Sequence, residues 1–326
     1  MTVLVTGAAG FIGFHVSRLL LDRGETVVGV DNLNSYYDVS LKHARLAELN
    51  PHERFVFHQA DIADRDAMEA IRRQHPDIDR AVHLAAQAGV RHSLTDPFAY
   101  AHSNLIGHLV ILEMCRAIEG FRHLVYASSS SVYGANTRMP FSIEDRVDSP
   151  VSLYGATKRA DELMSYSYSH LYAIPATGLR FFTVYGPWGR PDMAAYIFTR
   201  KIIAGEPLEV FNGGDMKRDF TYIDDIVQGV VNCLDRPPAA DEAAPHRVYN
   251  IGNHRSEPLM RFIGLLEQAI GRKAEVVFKP MQPGDVKETY ADIEALRQDI
   301  GFEPSTPIDE GLPRFVEWYR RYHRLN

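Results

Sequence analysis

Cysteine and net positive charge are both scarce in this 326-residue chain, and each scarcity excludes a class of protein. The two cysteines, Cys115 and Cys233, stand in unrelated segments, so we expect neither a disulfide framework nor a cysteine-based zinc site. The formal net charge of −7 argues against a nucleic-acid partner or an anionic membrane, although local arginines can still bind a small anion. These features predict a protein of a reducing compartment, the cytoplasm.

Long apolar runs are also missing. The apolar start of the chain is interrupted by Gly-Ala-Ala-Gly and carries His15, Ser17 and Arg18, so it does not have the pattern of a signal peptide. No later run reaches the roughly 20 residues that span a bilayer. Hydrophobic residues at 45% and charged residues at 24% are ordinary for a globular protein, and we expect no membrane partner.

Strand and helix patterns alternate through the first half of the chain, which favours a doubly wound parallel sheet, an α/β fold of the Rossmann type. The predicted strands are 2–6, 26–31, 55–59, 81–85, 124–128 and 176–180, and the predicted helices include 11–23, 64–74, 105–117 and 153–171. After residue 182 the pattern becomes irregular. We therefore predict a nucleotide-binding domain of residues 1–182 with about 221–252, and a smaller, discontinuous C-terminal substrate lobe of residues 183–220 and 253–326.

The first strand is followed by three glycines, Gly7, Gly10 and Gly13, at the point where a helix begins. In that context the glycines allow a tight turn, a close approach to a pyrophosphate and close helix–sheet packing. Asp31 ends the second strand 18 positions after Gly13, where a carboxylate can bind ribose hydroxyls and would repel a 2′-phosphate. The pattern predicts a binding site for NAD rather than NADP. The alternative to a nucleotide site is an ordinary tight turn followed by a surface aspartate.

A tyrosine and a lysine four positions apart, Tyr154 and Lys158, share one face of a predicted helix. A lysine ammonium beside a phenol favours the phenolate, so Tyr154 is a candidate proton acceptor. The serine run from Ser128 to Ser131 follows a strand at the carboxyl edge of the sheet, where such sheets bind ligands.

These motifs together resemble the extended short-chain dehydrogenase/reductase family, and most closely its nucleotide-sugar epimerases. The resemblance covers nearly the whole chain. It includes the glycine motif, Asp61-Ile62, His83 to Ala86, Ser128 to Gly134, Tyr154 to Lys158, Arg180 to Pro187, Arg218-Asp-Phe, Asp224-Asp225 and Tyr249 to Gly252.

The resemblance implies roles for several of these residues. Tyr154 would be the acid/base, Lys158 would hold the nicotinamide ribose and stabilise the phenolate, and Ser129 would hydrogen-bond the reacting sugar oxygen. Ser130 and Ser131 would share the substrate contacts. The implied NAD contacts are Gly7, Gly10, Phe11, Ile12, Gly13, Asp31, Asn32, Asp61, Ile62, Leu84, Ala85 and Ala86, beside Tyr154 and Lys158; for Asp61, an ordinary strand-end cap is the alternative.

The two positions after Ser129 favour one reaction class. Dehydratases of the family carry carboxyl side chains there, and the decarboxylases carry a glutamate, whereas Ser130 and Ser131 supply no carboxyl proton. The resemblance therefore implies epimerisation at C4 of a UDP-sugar through a 4-keto intermediate. Three stretches resemble UDP-glucuronate 4-epimerases: Ala85 to Leu94, Tyr185 to Ala194, and Met281 to Val286.

A UDP-glucuronate substrate needs partners for its carboxylate and its diphosphate. Thr183, Arg190 and the serines are candidates for the carboxylate, although Arg190 has the nucleotide as an alternative partner. Arg91 is a further candidate, with a solvated or structural role as the alternative. Arg218 resembles the residue that neutralises the diphosphate, and Asp285 would contact the uridine ribose. Galactose-type epimerases have a second arginine where this chain has Gln282. This departure weakens the interpretation of UDP-glucose as the substrate.

Other functions remain open from the sequence. The alternatives are a 4-epimerase for neutral UDP-hexoses, a UDP-glucuronate decarboxylase and, outside enzymes, an NAD-binding regulator. A metal enzyme is not expected, because the histidines are scattered. The resemblance also implies a homodimer that pairs helices 105–117 and 153–171.

Overall fold

A computed structural model describes residues 1–239, 244–281 and 286–325 of the protein. Its strands are β1 (Thr2–Thr6), β2 (Thr26–Asp31), β3 (Phe55–Gln59), β4 (Ile78–His83), β5 (His123–Ser129), β6 (Ala176–Phe181), β7 (Thr183–Tyr185), β8 (Leu208–Phe211), β9 (Lys217–Tyr222), β10 (His246–Ile251), β11 (Ser256–Pro258) and β12 (Val276–Lys279). Its α-helices are α1 (Phe11–Asp22), α2 (Ser40–Leu49), α3 (Arg65–Gln74), α4 (Pro97–Tyr100), α5 (Gly107–Ala117), α6 (Leu153–Tyr172), α7 (Ala194–Ala204), α8 (Ile223–Leu234), α9 (Leu259–Ile270), α10 (Glu294–Ile300) and α11 (Ile308–Tyr322).

The main sheet has seven parallel strands in the order β10-β6-β5-β4-β1-β2-β3. The strand order reverses between β1 and β4, and this reversal opens a crevice at the carboxyl ends of these strands. The predicted α/β fold of the Rossmann type is confirmed.

The two faces of the sheet are buried under different helices, and the side chains of β1 alternate between them. Val3 and Val5 pack in a core with Phe14 of α1, whereas Leu4 packs in a second core with Ile111 of α5. All five of these side chains are fully buried. This alternation is the period of two expected of a strand that is covered on both sides.

Two segment boundaries differ from the sequence-based expectation. Strand β4 runs from Ile78 to His83 instead of over 81–85, because Ile78 pairs with Thr2 and the residues after His83 turn into the crevice. The helix expected from residue 105 is preceded by a π-helical segment, Ala101–Ile106. There the side chain of the buried Asn104 accepts from the Gln87 N–H and donates to the Gln87 carbonyl. These two hydrogen bonds accompany the wider turn of the π-helix.

The later part of the chain adds smaller sheets. Strands β7, β9 and β11 form one of them in the order β11-β9-β7, and β8 pairs in parallel with β12. Strand β10 instead joins the edge of the main sheet beside β6, and α8 packs against α1. The division of the chain into two lobes remains a prediction.

Candidate active site

The loop after β1 has the backbone geometry of an anion site. Gly7 has a φ of +73° and its N–H donates to the Val30 carbonyl at 2.7 Å. A Cβ on Gly13 would lie 2.0 Å from the Gly7 oxygen, so only glycine allows this approach of α1 to the loop. Helix α1 begins after Gly10 without a side-chain cap, so its first amides and its dipole are open to the crevice. These features fit a dinucleotide pyrophosphate.

Asp31 ends β2 beside this loop, and a buried lysine neutralises it. Its Oδ1 accepts from the Leu33 N–H at 2.8 Å and pairs with Lys42 Nζ at 3.1 Å. Lys42 also donates to Asn34 at 3.3 Å. Asp31 thus lines the crevice as expected, but as one half of an ion pair rather than as an isolated carboxylate.

The expected adenine side of the crevice is built from β3, β4 and the loops after them. Ile62 and the stretch Leu84 to Ala86 line it directly. The Asp61 carboxylate instead turns to its neighbours, accepting from the Ala63 N–H at 2.9 Å and from the Asn32 amide at 3.2 Å. Burial alone would raise the pKa of Asp61, but these hydrogen bonds hold it below its usual value. Its geometry is that of a strand-end cap.

The serine run leaves β5 in a tight turn. Ser129 ends the strand, and its hydroxyl accepts from the Ser131 N–H at 3.2 Å at the start of a 3₁₀ turn, Ser130–Tyr133. A Cβ on Gly155 would lie 2.5 Å from the Ser131 carbonyl, so this turn rests directly on the first turn of α6. The packing brings the serines beside Tyr154.

Helix α6 carries the tyrosine and the lysine into the same crevice. Ser152 caps the helix by accepting from the Gly155 N–H at 3.0 Å. Tyr154 and Lys158 line the crevice together with Ser129, Ser130, Ser131 and the glycine loop. The Lys158 ammonium is almost fully buried and donates to Asp161 Oδ2 at 3.1 Å.

A buried ionic network lies behind the serine turn. Glu162 accepts from Arg180 at 2.8 and 2.9 Å and from the Ser128 hydroxyl at 2.6 Å. Arg180 also donates to the Tyr133 hydroxyl at 3.0 Å, and Tyr133 donates to Asn250 at 2.6 Å. The network ties α6, β5, β6 and β10 together behind the crevice.

Four residues expected to bind substrate line the far side of the crevice: Thr183, Arg190, Arg91 and Arg218. The Arg190 guanidinium is engaged by Asp192, with Nε at 3.0 Å from Oδ1, and Tyr36 donates to the same carboxylate at 3.1 Å. The pairing with Asp192 outweighs burial and raises the pKa of Arg190.

The remaining two arginines sit close to the C-terminal part of the chain. The Arg91 guanidinium lies 5.1 Å from the ring centre of Phe211, and Arg218 donates to the Lys217 and Lys287 carbonyls at 2.8 and 3.1 Å. Asp285 and Gln282 lie outside the described residues. The whole crevice has a volume of about 930 Å³.

The comparisons with known proteins agree with this arrangement. Residues 3–252 match the model of the NAD dependent epimerase/dehydratase family. The chain belongs to this family. It is 46% identical over 338 residues to a probable UDP-glucuronate 4-epimerase of Rhizobium meliloti (strain 1021), covering 99% of this chain and 98% of that protein. It is 45% identical over 335 residues to UDP-glucuronate 4-epimerase 2 of Arabidopsis thaliana, covering 99% and 77%.

A solved structure extends this likeness to three dimensions. The crystal structure of UDP-glucuronic acid 4-epimerase from Bacillus cereus, in complex with UDP-glucuronic acid and NAD, superposes with a TM-score of 0.91 at 34% identity. The match covers 99% of this chain and 100% of that one.

In this member of the epimerase/dehydratase family, sequence reasoning missed the partners of the expected residues. Lys42 and Asp161 are buried charges whose partners, Asp31 and Lys158, were both identified. Arg45 was missed as well, although it joins the glycine loop to the Trp188 carbonyl through hydrogen bonds of 2.8 and 2.6 Å. In the sequence, each of the three is a charged residue in a helix, where solvent exposure is the normal expectation. Only their burial in the structure distinguishes them.

No metal centre accompanies the site within the described part of the chain, where no three histidine, cysteine or acidic side chains come close enough to hold an ion. Across residues 1–239, 244–281 and 286–325, the helices are too short or too polar to cross a membrane.

Proposed function

We propose that this protein is an NAD-dependent isomerase that interconverts UDP-glucuronate and UDP-galacturonate by epimerisation at C4. The observation that carries the proposal is the convergence of Tyr154, Lys158 and Ser129 on one crevice with an uncapped helix start behind a glycine loop. The relatives named as UDP-glucuronate 4-epimerases over nearly the whole chain support the choice of substrate.

The residues of the crevice divide the work as follows. Tyr154 removes the proton from the C4 hydroxyl and later returns it, and Ser129 donates a hydrogen bond to that oxygen. Lys158 holds the nicotinamide ribose and favours the phenolate of Tyr154. NAD, when bound, would supply the acceptor and then the donor of the C4 hydride.

The glycine loop and Asp31 are the residues we assign to the cofactor. The amides at the start of α1 bind the pyrophosphate, and Asp31 receives the adenosine ribose hydroxyls while Lys42 holds its carboxylate in place. Ile62 and the stretch Leu84 to Ala86 supply apolar contact to the dinucleotide.

The 4-keto sugar derived from a uronate is a β-keto acid, so it can lose its carboxylate as CO₂. A pocket suppresses this loss by holding the carboxylate away from the alignment that bond cleavage needs. We assign that task to the hydroxyls of Ser130, Ser131 and Thr183 and to the Nη1 edge of Arg190, which points away from Asp192 because Nε and Nη2 face it.

The nucleotide end of the substrate is assigned to the C-terminal part of the chain. Arg218 and Arg91 both line the crevice there, and a guanidinium can bind a diphosphate through two parallel hydrogen bonds. Asp285 is our candidate for the uridine ribose.

We also propose a homodimer in the cytoplasm. The outer faces of α5 and α6 carry apolar side chains that are largely exposed in the single chain: Leu109, Leu163, Tyr166 and Leu171 are 38%, 53%, 51% and 66% exposed. Pairing these helices with a second copy would bury a large apolar patch. Light scattering of the purified protein measures the assembly, and a monomer contradicts it.

Product analysis tests the proposed activity. Purified protein is incubated with UDP-glucuronate and, separately, with UDP-glucose, and the sugars are identified by chromatography. Formation of UDP-galacturonate supports the proposal. A UDP-pentose as the main product indicates a decarboxylase, conversion of UDP-glucose alone indicates a hexose epimerase, and no product with bound NAD indicates a regulator.

A further inference from the structure

Asp161 is a buried carboxylate that the mechanism above does not use. It follows Lys158 by three positions on α6, and its Oδ2 lies 3.1 Å from the lysine Nζ. The two side chains are only 1% and 3% exposed. The other oxygen, Oδ1, is also buried and has no hydrogen-bond partner among the described residues. Burying a carboxylate with one oxygen unsatisfied costs folding free energy.

The geometry of the pair determines what it does to the ammonium. Lys158 has three N–H donors, and Asp161 takes one of them on the buried side. The remaining donors are left for groups in the crevice, which Lys158 lines together with Tyr154. A lysine side chain has many rotamers, so a hydrogen bond to the buried Asp161 carboxylate restricts where the Lys158 ammonium can lie.

We propose, on the basis of the function proposed above, that Asp161 is a positioning residue. Its carboxylate fixes the Lys158 ammonium from the buried side and offsets part of the positive charge that Lys158 presents to Tyr154. Asp161 thereby sets the pH range over which the tyrosine can work.

The ionisable groups that interact with the pair come from four elements. They are Glu162 on α6, His83 on β4, His108 on α5 and Tyr126 on β5. Burial lowers the pKa of His83 to about 3 and that of His108 well below its usual value, so both stay neutral. Burial also raises the pKa of Tyr126. Burial alone would raise the pKa of Glu162, but hydrogen bonds led by Arg180 hold it below its usual value.

Asp161 itself behaves differently from these neighbours. Burial raises its pKa to about 6, although the Lys158 ammonium opposes the shift. The carboxylate is therefore ionised at neutral pH and becomes neutral as the medium turns acidic. Its influence on Tyr154 is present above about pH 6 and absent well below it.

The substitution Asp161→Asn separates charge from position. The asparagine oxygen can still accept from Lys158, but it carries no negative charge, so the ammonium acts on Tyr154 without an offset. Seven positions of helix separate Asp161 from Tyr154, about 10 Å. At that distance we expect the acid limb of the pH–kcat profile for UDP-glucuronate to move to lower pH by roughly one unit.

A second readout does not depend on turnover. NAD released on denaturation is counted per chain for wild type, Asp161→Asn and Asp161→Ala. The asparagine variant should retain the wild-type NAD content because it keeps the acceptor for Lys158. The alanine variant should lose NAD, since nothing fixes the ammonium that holds the ribose.

Asp219→Asn is the matched control. Asp219 on β9 is also buried, and burial raises its pKa to about 6, but it accepts from the amides of Asn253 and Ala291 and does not contact Lys158. Its substitution removes a buried charge elsewhere, so the acid limb should stay at the wild-type pH. If Asp161→Asn does not fold, Asp161→Ser removes the same charge, and its acid limb should move in the same direction.

The outcomes are distinguishable. No conversion of UDP-glucuronate by the wild type at any pH contradicts the proposed function itself. An active wild type whose acid limb coincides with that of Asp161→Asn overturns the role of Asp161 and leaves the function standing. Equal shifts in the Asp161 and Asp219 variants, or loss of NAD from Asp161→Asn, also overturn it.

Discussion

Removing one partner from the ionic network behind the serine turn should strongly destabilise the protein. Glu162 accepts through Oε1 from Arg180 and Ser128, and through Oε2 from Arg180 and Arg159. The Glu162 and Arg180 side chains are 1% and 4% exposed. In Glu162→Gln, either orientation of the amide turns its NH₂ group toward two donors, and Arg180 loses its counter-charge.

The expected cost follows from burial. Breaking a buried ion pair by removing one partner costs about 3–5 kcal/mol, because the other charge remains desolvated. Glu69 on α3 offers a matched control, since it also accepts from two arginines, Arg72 and Arg73, yet the Glu69 and Arg73 side chains are 35% and 74% exposed. An exposed pair of this kind is worth about 0–1 kcal/mol.

Urea unfolding of the two variants, followed by circular dichroism, measures the difference. We expect Glu162→Gln to lower the free energy of unfolding by at least about 2 kcal/mol more than Glu69→Gln does. Losses of equal size in the two variants would refute the argument. They would mean that burial does not determine how much stability is lost when an ion pair is broken.

Two predictions concern the crevice. Tyr154→Phe should remove most turnover of UDP-glucuronate while NAD remains bound, because only the hydroxyl that carries the proton is lost; unchanged turnover contradicts the acid/base assignment. Arg190→Ala should raise the KM for UDP-glucuronate more than the Kd for UDP-glucose, since only the uronate presents a carboxylate to this side chain. Losses of equal size for the two sugars would place Arg190 on the nucleotide.

The parts of the site that were predictable from sequence are those fixed by local chain geometry. Gly7 and Gly13 follow a strand at a spacing that only one backbone arrangement satisfies, and the φ of +73° at Gly7 agrees with it. Tyr154 and Lys158 share a helix face because four residues make about one turn. Ser129 ends a strand at the edge where parallel sheets bind ligands.

The parts that were not predictable depend on contacts between distant segments. The Lys42–Asp31 pair joins α2 to the end of β2, and neither the spacing nor the residue types indicate it. The π-helical segment before α5 accompanies the bonds between Asn104 and the Gln87 backbone, 17 positions earlier. Likewise, the hydrogen bond from Tyr36 to the Asp192 carboxylate joins loops 156 positions apart.

The buried carboxylate of Asp161 also bears on which product leaves the crevice. When the 4-keto uronate loses CO₂, the bond between C5 and the carboxylate carbon breaks and its electron pair moves onto the C4 oxygen as an enolate; C5 later takes a proton. A positive charge near that oxygen lowers the barrier, because it stabilises the developing enolate. Lys158 lines the crevice with Tyr154, the residue we assign to that oxygen, and ionised Asp161 offsets its charge.

Asp161→Asn should therefore raise the fraction of UDP-pentose, or of its 4-ketone, formed from UDP-glucuronate at neutral pH. If the loss of the Asp161 charge lowers the barrier to CO₂ loss by about 1 kcal/mol, that fraction rises about fivefold. The fraction is measured by mass spectrometry of the nucleotide sugars at equal turnover, with Asp219→Asn as the control. If the acid limb moves in Asp161→Asn while the pentose fraction stays at the wild-type value, the charge on Lys158 does not govern CO₂ loss, and the orientation of the carboxylate alone protects it.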